Sequence, residues 1–117
     1  MFTRVVELRA KPGKTNELCS TVSGKVLSIL QKQQGFQDEI ILVSNTDPNQ
    51  VRVLSFWNSR EDAERYHREQ FAQIAEMLQP FDEGEPVVST FDVNTFDSPP
   101  HQYRKSCISV ERVLGGR

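Results

Sequence analysis

The sequence predicts an α+β protein with the element order βαββαβ, and three observations carry that expectation. Four segments have strand chemistry, two repeat their apolar residues at helical spacing, and turn-forming clusters separate them. With 117 residues, about one domain is expected, which excludes catalysis between two hinged domains. Hydrophobic residues make up 37% and charged ones 26%, the balance of a globular chain rather than a disordered one. Fourteen Lys and Arg against sixteen Asp and Glu give a net charge of -2, so no basic field draws phosphate backbones and nucleic acid is not an expected partner. Cys19 and Cys107 do not make a disulfide framework, and "MFTRVVELRAKPG" lacks the apolar core of a signal peptide or spanning helix. The expected location is the cytoplasm, with no membrane partner.

The first strand is "FTRVVEL", with Phe2, Val6 and Leu8 on one face and Thr3, Val5 and Glu7 on the other. "KPGK" breaks it. Leu18, Cys19, Val22, Val26, Ile29 and Leu30 then recur at helical spacings until Gly35, which reads as the C-terminal glycine. "FQDEIILVS" and "VRVLSFW" are β-rich runs separated by "NTDPNQ", which reads as a hairpin. Ser59 opens a second helix, with Asp62 three residues on in a capping-box arrangement. At 100° per residue, Ala63, His67, Phe71, Ile74 and Leu78 form one inward stripe, with Tyr66 and Met77 at its margin. The helix should stop before Pro80. "EPVVSTFDVNTF", residues 85 to 96, returns to strand alternation.

Residues 1–97 therefore form the expected domain and residues 98–117 a C-terminal tail. "DSPPHQYRK" is a stiff connector, and "CISVERVL" is a candidate short fifth strand contacting a dimer partner. The tail carries +3 and the remainder -5.

The order βαββαβ fits a ferredoxin-like plait, an antiparallel sheet with both helices on one face because the two crossovers share a hand. In a monomer the other face would be wet and polar. Here the middle strands are apolar at both phases: Ile40 and Leu42 against Ile41 and Val43, and Val51 and Val53 against Leu54 and Phe56. A second copy of the chain is the simplest cover, giving a homodimer through face-to-face sheets.

"KPGK" after strand one, "GF" opening strand two, and "SFWNSREDAERYH" from strand three into helix two resemble the antibiotic biosynthesis monooxygenase family over residues 2 to about 96. The resemblance implies a dimeric α/β barrel with a cleft in each subunit between sheet and helices. It also implies, for some members, oxidation of phenols or quinols by molecular oxygen with no prosthetic group; others cleave haem, isomerise small molecules or have no known activity. The haem-cleaving pattern of Asn, Trp and an axial His falls on Val6, Tyr66 and Glu76, and departs at all three.

On that resemblance the candidate catalytic residues are His67 and Tyr66, and the candidate substrate-binding residues Trp57, Asn58, Phe71 and Ile74. His67 on the inward stripe is either a satisfied core or interface histidine or a group facing a cleft, where it removes or stabilises a phenolic proton. Tyr66 binds a substrate oxygen or lies at the helix margin. Trp57 packs the strand-to-helix corner or touches the ring. Asn58 orients a substrate or belongs to the turn. Phe71 and Ile74, with Met77 and Leu78, are core or line an apolar pocket. Arg4, Arg52, Asp92 and Asn94 are further polar strand residues that could reach a cleft or a subunit rim, Arg52 and Asp92 more as solvated or paired edge groups.

His67 and His101 have no zinc-ligand spacing, so no metal is expected, and no phosphate loop or serine elbow is present. Cys19 is expected to be a small hydrophobe. The expected function is cofactor-independent oxidation of a small aromatic phenol or quinol. The alternatives are a non-catalytic dimeric binding or structural module and a small-molecule isomerase.

Overall fold

The computed structural model describes residues 1–95. The candidate fifth strand and the basic tail, with His101 and Cys107, lie outside the described residues. Strands β1 (Phe2–Arg9), β2 (Phe36–Val43), β3 (Gln50–Trp57) and β4 (Val87–Asp92) form one antiparallel sheet in the order β2-β3-β1-β4. The first helix leads from β1 past β3 to β2, and the second from β3 past β1 to β4, which is the ferredoxin-like topology. β4 is shorter than residues 85 to 96, because its pairing partner β1 begins at Phe2, opposite Asp92.

Register decides which side chains meet. One helix-facing row across the sheet is Val88, Val6, Val53 and Ile41; the row nearer the second helix's start is Asp92, Phe2, Trp57 and Phe36. Between them lies a row of four polar residues, Thr90, Arg4, Ser55 and Glu39. Glu39 joins that row through an irregularity between Phe36 and Asp38. Without it, strict alternation from Phe36 would turn Asp38 and Ile40 toward the helices instead.

The first helix runs through Thr15–Thr21, a π-helical turn Val22–Val26, and Leu27–Leu30. Its core residues Leu18, Val22, Val26 and Leu30 are spaced four apart and all buried. In a pure α-helix each step of four overshoots one turn by about 40°, so the stripe would rotate away from the sheet. The wider π turn takes up part of that drift.

The second helix, Arg60–Leu78, starts on Ser59, whose Oγ accepts from the Asp62 N–H at 3.2 Å and donates to the Asp62 carboxylate at 3.0 Å. Gly35 has φ +83° and lies against the Asp62 side chain, where a methyl group would overlap the carboxylate. Glycine is required there twice over. The helix ends two residues before Pro80.

The core lies between the sheet and the helices, around Leu18, Leu30, Val51, Trp57 and Ile74, each at most 2% exposed. On the other face the expected two-phase pattern is observed: Ile40, Leu54 and Phe56 are half-buried, while Leu42, Val87 and Phe91 are exposed. Among the described residues no helix is long and apolar enough to cross a membrane.

A cleft beside the second helix

One part of the second helix departs from its expected packing. His67 is exposed and Tyr66, expected at the margin, is buried at 5%. The helical phase of His67 is the inward one, between those of the buried Ile74 and Leu78. At its level, however, Arg4 reaches the ring from one side and the rest of that side is open. An open pocket of about 460 Å³ lies there, lined by Phe2 and Arg4 of β1, Ala63, Glu64, His67 and Arg68 of the helix, and Val88 and Thr90 of β4. The size is that of a small-molecule site.

Arg4 forms the inner wall. It is 2% exposed, with its guanidinium carbon 5.1 Å from the Tyr66 ring centre and 4.8 Å from that of Phe71. Its Nη1 lies 3.4 Å from His67 Nδ1, and the His67 and Phe71 rings stack at 5.2 Å. Arginine offers only donors, so His67 Nδ1 supplies the lone pair and the proton of the neutral imidazole sits on Nε2. Desolvation, and then the Arg4 cation, lower the His67 pKa, which keeps the ring neutral at physiological pH. His67 thus presents an N–H donor.

Behind Arg4 is a small cavity of about 30 Å³, whose wall includes Glu39, Ser55, Tyr66, Phe71 and Ile74. That is room for a water molecule. Burial, with help from Asp38, raises the Glu39 pKa to about 7, and its Oε2 has no hydrogen-bond partner. Tyr66 is pushed up to about 12 by burial, with Arg4 working against the shift and Glu39 reinforcing it. It remains a neutral phenol and not a base.

The six residues singled out from the sequence are therefore only partly brought together. His67, Tyr66 and Phe71 surround the Arg4 guanidinium. Trp57 is fully buried; its Nε1–H donates to Ser55 Oγ at 2.9 Å and its ring packs on Phe36 and Tyr66, so it supports the site from behind. Ile74 is core at the wall of the inner cavity. Asn58 is exposed and ties the second helix's approach to β2, accepting from Gln37 Nε2 and donating its backbone N–H to Gly35 at 2.8 Å. Arg52 pairs with Glu7 at 3.0 Å on the opposite face of the sheet. Glu39 and Ser55 were not singled out, and Arg4 only as one polar strand residue among several. All three carry a shared signal, a polar side chain at the helix-facing phase of an otherwise apolar strand.

The chain is thus a ferredoxin-like plait with a polar row under one helix and an open cleft at the end of that row. Sequence comparison sharpens this: the antibiotic biosynthesis monooxygenase family model matches residues 1–77. The chain belongs to that family. No curated protein matches it in sequence. Among solved structures, a monooxygenase of Streptomyces coelicolor, ActVA-Orf6, in complex with nanaomycin D, has a TM-score of 0.70 at 20% identity, covering 84% of this chain and 91% of its own. SnoaB, a cofactor-independent oxygenase of Streptomyces nogalater solved as an asparagine-to-alanine variant, gives 0.68 at 18%, covering 82% and 95%. A protein of unknown function from Nitrosomonas europaea gives 0.69 at 16%, covering 84% and 93%. At these identities the likeness establishes the fold.

Proposed function

We propose that the chain is a monooxygenase that oxidises a small, electron-rich phenol or quinol with molecular oxygen and without a prosthetic group, working as a homodimer. The observation that carries this reading is the 460 Å³ cleft with His67 on its wall. Phe2, Ala63 and Val88 offer apolar surface to a ring, and the His67 Nε2–H faces its oxygen. Donation from His67 favours the ionised phenol, whose proton leaves to solvent through the open mouth. The phenolate passes one electron to dioxygen, giving a phenoxyl radical and superoxide. The two combine in a carbon–oxygen bond, the peroxide anion takes a proton from solvent, and the hydroperoxide loses its terminal OH with the hydrogen of the same carbon as water to leave a quinone carbonyl. One oxygen atom enters the product and the other leaves as water. Tyr66 acts here as a positioning residue, holding Arg4 and, through it, His67.

Oxygen uptake with a panel of naphthols, anthrones and quinols tests the reading. Turnover is expected with at least one of them, and His67→Ala should lower kcat/KM more than tenfold while the variant's thermal unfolding stays near that of the parent. Absence of uptake across the panel, with ligands still binding, would make the chain a binding module.

A further inference from the structure

We propose that Arg4 is the anchor of an anion-binding site, so that the ligand of the cleft is a small aromatic oxyanion, a carboxylate or an already ionised phenol. The proposal rests on the oxidation reading only in assigning that ligand as the substrate; the anchor itself is a matter of binding.

The state of Arg4 is the reason. A guanidinium stays charged at physiological pH, and burying it is costly unless its charge and its N–H groups are answered. Arg4 is 2% exposed, yet its Nε and Nη2 have no hydrogen-bond partner, and its Nη1 has only the long 3.4 Å contact to His67. The ion pairs among the described residues are made by other side chains. What holds Arg4 is the pair of aromatic rings, Tyr66 and Phe71, which fix the cation without using its in-plane donors. The result is a held cation whose buried Nε and Nη2 are unanswered where Arg4 lines both the cleft and the cavity behind it, and a guanidinium fork is the group that matches a carboxylate or phenolate.

The surrounding residues fit the same ligand. Thr90 lies directly across from Arg4 in the β1–β4 register and also lines the cleft, offering a hydroxyl. The His67 Nε2–H is a further donor, because Arg4 itself occupies the Nδ1 lone pair. Phe2, Ala63 and Val88 supply the apolar walls for a ring, and the charged groups Glu64 and Arg68 complete the lining. Three residues that carry donors thus line one cleft together with apolar side chains.

Calorimetry on the full chain with two matched pairs of probes decides the matter. The carboxylate arm compares 1-naphthoate with 1-naphthamide; the phenolate arm compares 2,4-dinitrophenolate with 2,4-dinitroanisole. At least one anion should bind tenfold or more tightly than its neutral partner, and Arg4→Met should abolish that preference while leaving neutral-probe affinity within about threefold. The arm that shows the preference identifies the oxyanion. Since Arg4 is unpaired, the ligand-free Arg4→Met protein should melt no lower than the parent; Arg4→Gln gives the same comparison should the Met variant fail to fold. Equal affinity for anions and neutral probes, a preference that survives both substitutions, or no binding by either anion at millimolar concentration would overturn the proposal. Anion binding without oxygen uptake keeps the anchor and removes the oxidation reading; uptake with an anion preference that survives Arg4→Met keeps the oxidation reading and removes the anchor.

Discussion

At the scale of single residues, the row Thr90, Arg4, Ser55 and Glu39 sets the chemistry under the second helix. Arg4 and Glu39 are answered differently. Arginine cannot shed its proton within reach of neutral pH, so it remains a cation and the rings of Tyr66 and Phe71 close on it. Glu39 can neutralise, and burial raises its pKa to about 7. Folded Glu39 therefore holds its proton to higher pH than the unfolded chain does. Its contribution is intact below the ordinary carboxylate range, and stability falls as pH rises from there through about 7. Glu39→Gln should thus stabilise the protein at pH 8 by roughly 1–2 kcal/mol, a figure reduced for the water reaching this partly exposed strand. At pH 5 the gain should fall toward zero. Urea unfolding at the two pH values measures it; an equal gain at both would show that Glu39 is not titrating in between. His67 has the opposite sign: its pKa is lowered, so acid favours the unfolded chain, which binds that proton more readily.

At the scale of elements, the site depends on how the second helix is set over the sheet. Its start is fixed by the Ser59 cap and by Gly35, which brings β2 in against Asp62 with a positive φ. Gly35→Ala should destabilise the chain by more than about 1 kcal/mol, since the methyl group meets both a strained backbone and an occupied space. Gly24 is the control. It lies in the π turn of the first helix, with open space around it. Gly24→Ala should stabilise by about 0.5–1 kcal/mol through reduced freedom of the unfolded chain. Denaturant midpoints of the two variants should move in opposite directions; a stable Gly35→Ala would show that the approach to Asp62 is not constraining.

Both helices were legible in the sequence because apolar spacing and the Ser59 cap are local properties. The π turn was not, although the strict spacing of Leu18, Val22, Val26 and Leu30 is its trace. The position of His67 was legible in phase and not in burial. Helix periodicity reports which way a side chain points, but whether packing or a cleft lies there depends on β1 and β4, distant in the chain.

At the scale of the whole molecule, the sheet face away from the helices carries Val5, Ile40, Leu42, Leu54, Phe56, Val87 and Phe91, with Leu42 at 47% and Val87 and Phe91 at 55% exposure. A face this apolar is expected to be covered. In a two-fold pair the same face meets itself, and about 800 Å² from each partner would make a stable interface. Phe91→Asp tests this without disturbing the core, because Phe91 is already exposed in the single chain. The parent should sediment at twice the chain mass, and the variant should shift toward the monomer at micromolar concentration. A parent that sediments as a monomer would contradict the dimer.

The sequence by itself determined the order of elements, the two-sided apolar character of the middle strands and the family to which the chain belongs, because alternation, helical spacing, caps and turns are written within a few neighbouring residues. Only the tertiary structure decided that Arg4 and Glu39 stand in one row with Ser55 and Thr90, that Trp57 is support rather than wall, and that His67 faces a cleft. The row depends on pairing between residues 16 to 86 apart in the chain, and the place of Glu39 in it depends on the irregularity between Phe36 and Asp38.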